Sequence, residues 1–377
     1  MMLFCMAALV LGATEGRIPP EDIAVVPLIE DYEPEQLFRY LMRIAEAQYA
    51  ERDALLDRLT TSEQWRARQE YVRRTVVQMV GGFPERTPLN ARAVGALEYD
   101  DYRIEKVIYE SRPEFFVTAN VYVPKRGEPP FPALLSPCGH SSNGKAYETY
   151  QRAYIAAAKQ GYIVLAYDPI SQGERLQILG DDGRPLVGVG TQEHSHQGNQ
   201  GYLIGVNLAQ IRIWDGIRSL DYLVSREDVD PERIGVMGNS GGGTLTTYLC
   251  AVEPRLAAAS PNCYVTTLLR RFYSRVAADA EQNLLPQIAR GIDHADMLSV
   301  MAPRPVQIGA AVRDFFPIEG TREAFKALQR VYGAFDALDA VALVEDDVPH
   351  NFSQVLREGM VRWMNRWLRE PTPDYAE

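Results

Sequence analysis

A serine set among glycines, an aspartate and a histidine follow one another along this chain, and together they could carry out acyl transfer. Gly238-Asn239-Ser240-Gly241-Gly242 matches G-x-S-x-G, between a short apolar run, Ile234 to Met237, and a Thr/Leu-rich segment of helical character. A turn that tight tolerates little beyond glycine beside the serine, because a Cβ would collide with the neighbouring strand or helix. It lifts the hydroxyl clear of the backbone and leaves the Gly241 N–H at the helix start to face an oxyanion. A hydroxyl is a poor nucleophile until a base takes its proton, and that base must be oriented by a third group. Asp314 lies just past the apolar run Pro305 to Ala310, and His350 just past Ala340 to Val344. The order Ser, Asp, His supplies nucleophile, orienting acid and base, each in a loop that ends a strand. Singly, each has a plainer reading: a helix-capping serine, a turn aspartate, a surface histidine among the five in the chain. Asp346 and Asp347 also neighbour His350, but only along the chain; Asp314 comes from the adjacent strand and is the better orienting acid.

Those loops need a sheet to end. Strand character begins near Val94 and continues through Tyr102 to Tyr109 and Phe115 to Val123, joined as a hairpin at Glu110 to Glu114. Phe131 to Ser136, Tyr162 to Tyr167, Ile234 to Met237, Ala257 to Ala259, Val306 to Ala310 and Ala340 to Val344 follow as short apolar strands. Helical segments lie between them (Tyr147 to Gln160, Leu203 to Ser225, Gly242 to Val252), and an amphipathic helix, Ser353 to Leu368, closes the chain. The fold class expected is α/β: a mostly parallel central sheet with helices on both faces, antiparallel N-terminal strands and a helical N-terminal extension. In such sheets ligands sit beyond the carboxyl ends of the strands, where the motifs cluster. The loop after Phe131 to Ser136, Pro137-Cys138-Gly139-His140-Ser141, is placed to give a second oxyanion donor, the backbone N–H of His140.

The chain resembles the α/β-hydrolase superfamily, in its acetyl xylan esterase-like and dienelactone hydrolase-related branch. The resemblance rests on Tyr167-Asp-Pro-Ile-Ser-Gln-Gly-Glu-Arg175, Asp230-Pro-Glu-Arg-Ile-Gly235, Gly238 to Gly243, Ala302-Pro-Arg-Pro305 and Val348-Pro-His350. It covers residues from about 95 to 370 and implies a serine carboxylesterase with Ser240, Asp314 and His350 as its triad, with no cofactor. Acetyl groups on xylan come first as substrate by this resemblance. Such proteins often carry His-Gly in the oxyanion loop, where this chain has Cys138-Gly139; a backbone donor survives that change.

Around the site, Asn262-Cys-Tyr264 and the run Arg270-Arg271-Phe272-Tyr273 offer an aromatic to stack on a sugar and guanidinium groups to pair with a uronate. Tyr264, Arg270, Arg271 and His194 are therefore candidate substrate contacts, and a uronic-acid methyl ester (glucuronoyl or pectin type) is the second substrate expected. The plainer reading of 270–275 is an amphipathic helix with a solvated basic face. Asp279 to Asn283 reads either as a cap on the pocket or as helix surface. Residues 176–201 form a long Gly-rich insert with His194 and His196 in H-x-H spacing. No third ligand stands near them in sequence, so no metal is expected. A prolyl-oligopeptidase-type peptidase shares this catalytic domain but usually carries a propeller before it, and a binding-only hydrolase fold has no need of an intact triad.

Domain organisation follows: a signal peptide at 1–13, a helical extension at 14–93 opened by an extended arm at 21–34, and the catalytic domain at 94–377. In the extension Leu37, Leu41, Ile44, Leu55 and Leu59 fall near helical spacing, and Thr61-Ser62-Glu63-Gln64 fits a capping box ahead of a second helix. The apolar run Met1 to Gly12 is too short to span a bilayer but has the length of a signal-peptide core, although it lacks a basic start. With that leader the protein is periplasmic or secreted; without it, cytoplasmic. A formal net charge of −11 argues against nucleic acid or an anionic membrane as partner. Cys138, Cys250 and Cys263 have neither disulfide-framework nor zinc spacing and read as buried thiols, with a Cys250–Cys263 bridge as the alternative.

Overall fold

The structure is a computed structural model that describes residues 35–276, 278–369 and 375–377. The expected signal peptide and extended arm lie outside those residues. The chain divides into Met1–Ile44 and Ala45–Glu377. The described part of the first unit is the opening of helix α1, Gln36–Leu56. In the second unit α1 turns Ala45, Tyr49 and Leu56 inward while Leu55 stays exposed, so the buried stripe is not the leucine series that the spacing favoured. Helix α2, Ser62–Met79, opens with the capping box read from the sequence: Thr61 and Gln64 each satisfy the other's backbone N–H.

Then come strands β1 Arg92–Glu98, β2 Tyr102–Arg112, β3 Phe115–Pro124 and β4 Phe131–Pro137. Helix α3, Glu148–Lys159, leads to β5, Ile163–Tyr167. The insert that follows ends in helix α4, Thr191–Leu203, and α5, Leu208–Val224, comes next. The helix expected from Leu203 to Ser225 thus begins at Leu208, and α4 occupies the end of the stretch expected to be an insert. Asn207 separates the two helices, its side chain accepting from the Ala209 N–H at 2.8 Å as an N-cap. Strand β6 (Val229–Asn239) runs into α6 (Gly241–Val252), followed by β7 (Ala258–Asn262), α7 (Leu268–Tyr273) and α8 (His294–Ser299). Strand β8 (Val306–Arg313), α9 (Ile318–Gly333), β9 (Val341–Pro349) and α10 (Gln354–Leu368) complete the order.

One nine-stranded sheet runs β1-β2-β3-β5-β4-β6-β7-β8-β9. β1 through β3 and the β3–β5 pair are antiparallel, and every later pairing is parallel. The central strands are buried along their whole length, as β5 and β7 show, because helices cover both faces. One face packs on Trp65, Val72 and Val76 of α2 with Ile213, Leu220 and Leu249 of α5 and α6. The other packs on Tyr154 of α3 with Met360 and Met364 of α10. This topology sets β4 against β6, so the Cys138–Ser141 loop and Ser240 emerge side by side. Parallel β7, β8 and β9 release Asn262, Asp314 and His350 at the same end. Among the described residues no helix is long and apolar enough to cross a membrane.

Candidate active site

Ser240 sits between β6 and α6 at φ 58° and ψ −122°, a region that non-glycine residues enter only under strain. Its neighbours explain how that backbone is held. A Cβ on Gly238 would come within 2.4 Å of the Gly242 carbonyl oxygen, and one on Gly242 within 2.3 Å of the Pro137 carbonyl oxygen. The Ser240 N–H donates to the Asn262 carbonyl at 2.9 Å, tying the turn to the end of β7.

The three residues predicted from chain order meet in space. His350 Nε2 lies 2.9 Å from Ser240 Oγ, and its Nδ1 lies 2.8 Å from each carboxylate oxygen of Asp314. Asp314 is held in turn by the Phe316 N–H at 3.1 Å, and its side chain is 2% exposed against 24% for His350. The Phe315 ring stacks on the imidazole with centroids 4.4 Å apart, a contact the sequence reading passed over. Asp346 is taken up by Ser353 Oγ at 2.5 Å. Cys138, Cys250 and Cys263 are free and buried, so there is no Cys250–Cys263 bridge. Burial pushes the Cys263 thiol up to about 12, with Asp314 adding to the shift, which leaves no thiolate to compete with Ser240.

A cleft of about 270 Å³ opens over Ser240 and His350, lined also by His140, Ser142, Tyr147 and Tyr150. The larger cleft of about 650 Å³, around Tyr49, Arg270 and Glu323, does not include the serine. Gly241 and His140 lie together beside Ser240. Neither amide N–H meets a backbone acceptor among the described residues. The His140 imidazole covers Gly241 so closely that a Cβ there would be 2.7 Å from its Cε1. Two donors beside a half-buried hydroxyl can hold the oxyanion of a tetrahedral intermediate.

The expected substrate contacts are placed differently from one another. Arg270 pairs with Glu323 on the exposed side of the larger cleft. Tyr264 is buried, its ring against His294 and Phe316 at 4.4 and 5.5 Å. Burial lowers His294 to about 3. Arg271 lies over the Phe316 ring at 4.3 Å and donates to the Phe315 carbonyl, one layer behind the His350 imidazole. His194 is fully buried on α4 next to His140, with Nδ1 3.3 Å from His140 Nε2.

Asp279, Glu281 and Arg212 complete that second grouping, and the sequence did not single out their part in it. Gly198 lets α4 approach them: a Cβ there would be 2.2 Å from Ala280 Cβ. Burial pushes the His140 imidazole below its usual value, with Glu281 opposing. Burial alone would raise the Glu281 carboxyl, but Arg212 and the two histidines hold it well below the usual carboxylate range. Two sets of potential metal-ligating atoms converge among the described residues: Cys263, Asp314 and His350, which belong to the triad, and His140, His194, Asp279 and Glu281.

The family model of acetyl xylan esterase (AXE1) matches residues 94–282. YtaP of Bacillus subtilis (strain 168) is 26% identical over 318 residues, covering 78% of this chain and 98% of its own. Among solved structures, methylesterase BT1017 superimposes with a TM-score of 0.69 at 24% identity, over 86% of this chain and 68% of that one. Glucuronoyl esterase from Solibacter usitatus gives 0.58 at 16% identity, over 81% and 94% of the two chains. Acetyl xylan esterase from Paenibacillus sp. R4 gives 0.53 at 19%, over 84% and 99%. The shared architecture is the α/β-hydrolase fold expected from the sequence.

Proposed function

From a chain that belongs to the acetyl xylan esterase family, we propose a serine carboxylesterase that removes acetyl groups from a polysaccharide or oligosaccharide. The observation that carries this reading is the unbroken relay from Asp314 through His350 to Ser240 Oγ. His350 Nε2 takes the serine proton as Oγ attacks the ester carbonyl, and the amides of Gly241 and His140 receive the oxyanion. Collapse breaks the bond to the sugar oxygen, which leaves with the proton from His350. A water then gives its proton to the same imidazole and attacks the acyl-enzyme; the bond to Oγ breaks, acetate leaves, and His350 returns the proton to Ser240. Asp314 keeps the imidazole in the tautomer with its free lone pair toward the serine.

A uronic-acid methyl ester is the second reading. It rests on residue type alone, since Arg271 pairs with no carboxylate among the described residues but is buried and does not line the cleft over Ser240. Export to the periplasm or beyond is part of the proposal and rests on the apolar run Met1 to Gly12.

Hydrolysis of p-nitrophenyl acetate by wild type and Ser240→Ala tests the nucleophile. The expected loss is roughly 10⁴- to 10⁶-fold in kcat; equal rates in the two proteins would remove Ser240 from the mechanism. Acetate release from acetylated xylan, against methanol release from a methyl-esterified polyuronate, ranks the two substrates.

A further inference from the structure

The geometry points to a metal site that neither the triad nor the family explains: we propose that His140, His194, Asp279 and Glu281 bind one divalent transition-metal ion of the zinc class. His140 Nε2 lies 3.3 Å from His194 Nδ1, 3.4 Å from Asp279 and 2.8 Å from Glu281. His194 Nδ1 lies 3.5 Å from both carboxylates. All four donors fall within 4.8 Å of one another. A tetrahedral ion with bonds of about 2.0–2.2 Å sets its ligand atoms roughly 3.3–3.6 Å apart, and the triangle of His140 Nε2, His194 Nδ1 and Asp279 Oδ2 has edges of 3.3, 3.4 and 3.5 Å.

The ring orientations agree. His194 Nε2 is 2.8 Å from the Ile170 carbonyl, which takes that N–H and leaves the Nδ1 lone pair facing the cluster. The Asp279 side chain is 6% exposed, yet neither of its oxygens has a hydrogen-bond partner among the described residues. Glu281 turns Oε1 to His140 Nε2 at 2.8 Å and Oε2 to His194 Nδ1 at 3.5 Å. A shared proton serves one pair of atoms along one direction, whereas a cation serves four donors at once. Arg212, 2.5 Å from Glu281, balances one carboxylate and leaves a net negative site for a divalent ion. Two imidazoles with two carboxylates favour zinc or its neighbours over calcium and magnesium, which take all-oxygen shells.

Such an ion would fix the imidazole whose own backbone N–H faces the oxyanion. It is therefore a positioning metal beside the active site; that role rests on the esterase reading, while the binding itself does not.

Full-length protein, stripped with chelator and dialysed, is titrated with Zn²⁺ by calorimetry, with bound metal counted by mass spectrometry. One zinc per chain is expected. Asp279→Asn and His194→Ala should each lower affinity by about 10- to 100-fold. His196→Ala, an exposed neighbour outside the cluster, should bind as wild type. Circular dichroism of each variant separates lost binding from lost folding, and Asp279→Asn keeps the side-chain shape for that reason. Ser240→Ala should bind zinc normally while inactive, which separates failure here from failure of the esterase reading. Absence of stoichiometric zinc in wild type, or unchanged affinity in folded Asp279→Asn, would overturn the site. Bound zinc with no change in kcat on p-nitrophenyl acetate would overturn the positioning role.

Discussion

His350 meets one carboxylate while His140 meets two, and the geometry differs in kind. The Asp314 oxygens both face His350 Nδ1 at 2.8 Å, the opposite nitrogen faces Ser240 Oγ at 2.9 Å, and a proton can pass along that line. Around His140 the donor atoms all lie within 4.8 Å of one another, and the Asp279 oxygens lack hydrogen-bond partners among the described residues. The same residue types thus make a directional relay in one loop cluster and a convergent cage in the next. Charge and composition do not separate them; orientation does.

The largest expected effect falls on the relay. Asp314→Asn preserves shape but cannot hold the imidazole in its productive tautomer, so kcat on p-nitrophenyl acetate should fall about 10⁴-fold. Zinc binding by the same variant should be unchanged, and a parallel loss of metal would erase the distinction between the two clusters.

A smaller effect should reach both clusters at once. Gly241 is the point where they touch, because a Cβ there would lie 2.7 and 2.8 Å from His140 Cε1 and Nδ1. Gly241→Ala should displace the His140 ring, lowering zinc affinity and kcat together by roughly 10-fold or more. Calorimetry and steady-state rates on one preparation check this, and a fall in only one of them would show that the ring does not link the sites.

The smallest effect concerns a third histidine. His294 is buried against Tyr264, accepts from the Thr266 N–H at 3.3 Å, and is lowered to about 3 by burial, with Arg271 adding to the shift. An unfolded chain protonates this histidine near 6.5. Between those values the unfolded state binds more protons, so its contribution to stability is complete above about pH 6.5 and drains away toward pH 3. Thermal melts between pH 7 and pH 4 should show a shallower decline in His294→Gln than in wild type; matching slopes would mean His294 is not the titrating group.

The relay was legible in the sequence because each of its residues ends a strand, and strands announce themselves by short apolar runs. Ser240 also had glycine neighbours that the turn demands. The cage was not legible. Its histidines come from the loop after β4 and from α4, whereas its carboxylates lie in the turn around Ala280, far downstream. Only the H-x-H pair hinted at it, and His196 of that pair is exposed and outside the cluster. Helix α4 itself was hidden, since Gly198 and Gly201 depress helical propensity while Gly198 is needed for close packing on Ala280. The leucines of α1 misled in the opposite sense: Leu55 matched the period yet faces water, because the inward side of that helix is set by Tyr49 and Leu56.

Tyr49 hydroxyl donates to Asp293 at 2.7 Å, and Arg52 and Arg68 both pair with Asp296 at 2.6 and 2.7 Å. Asp293 and Asp296 form the capping box of α8, and Asp296 is buried. The stretch matched by the family model, 94–282, therefore holds neither Asp296 nor its two guanidinium partners. A chain begun at residue 94 would strand a buried anion without either of its guanidinium partners, at a cost of about 3–5 kcal/mol. The family model draws this protein's boundary in one place, and charge neutrality draws it about forty residues earlier.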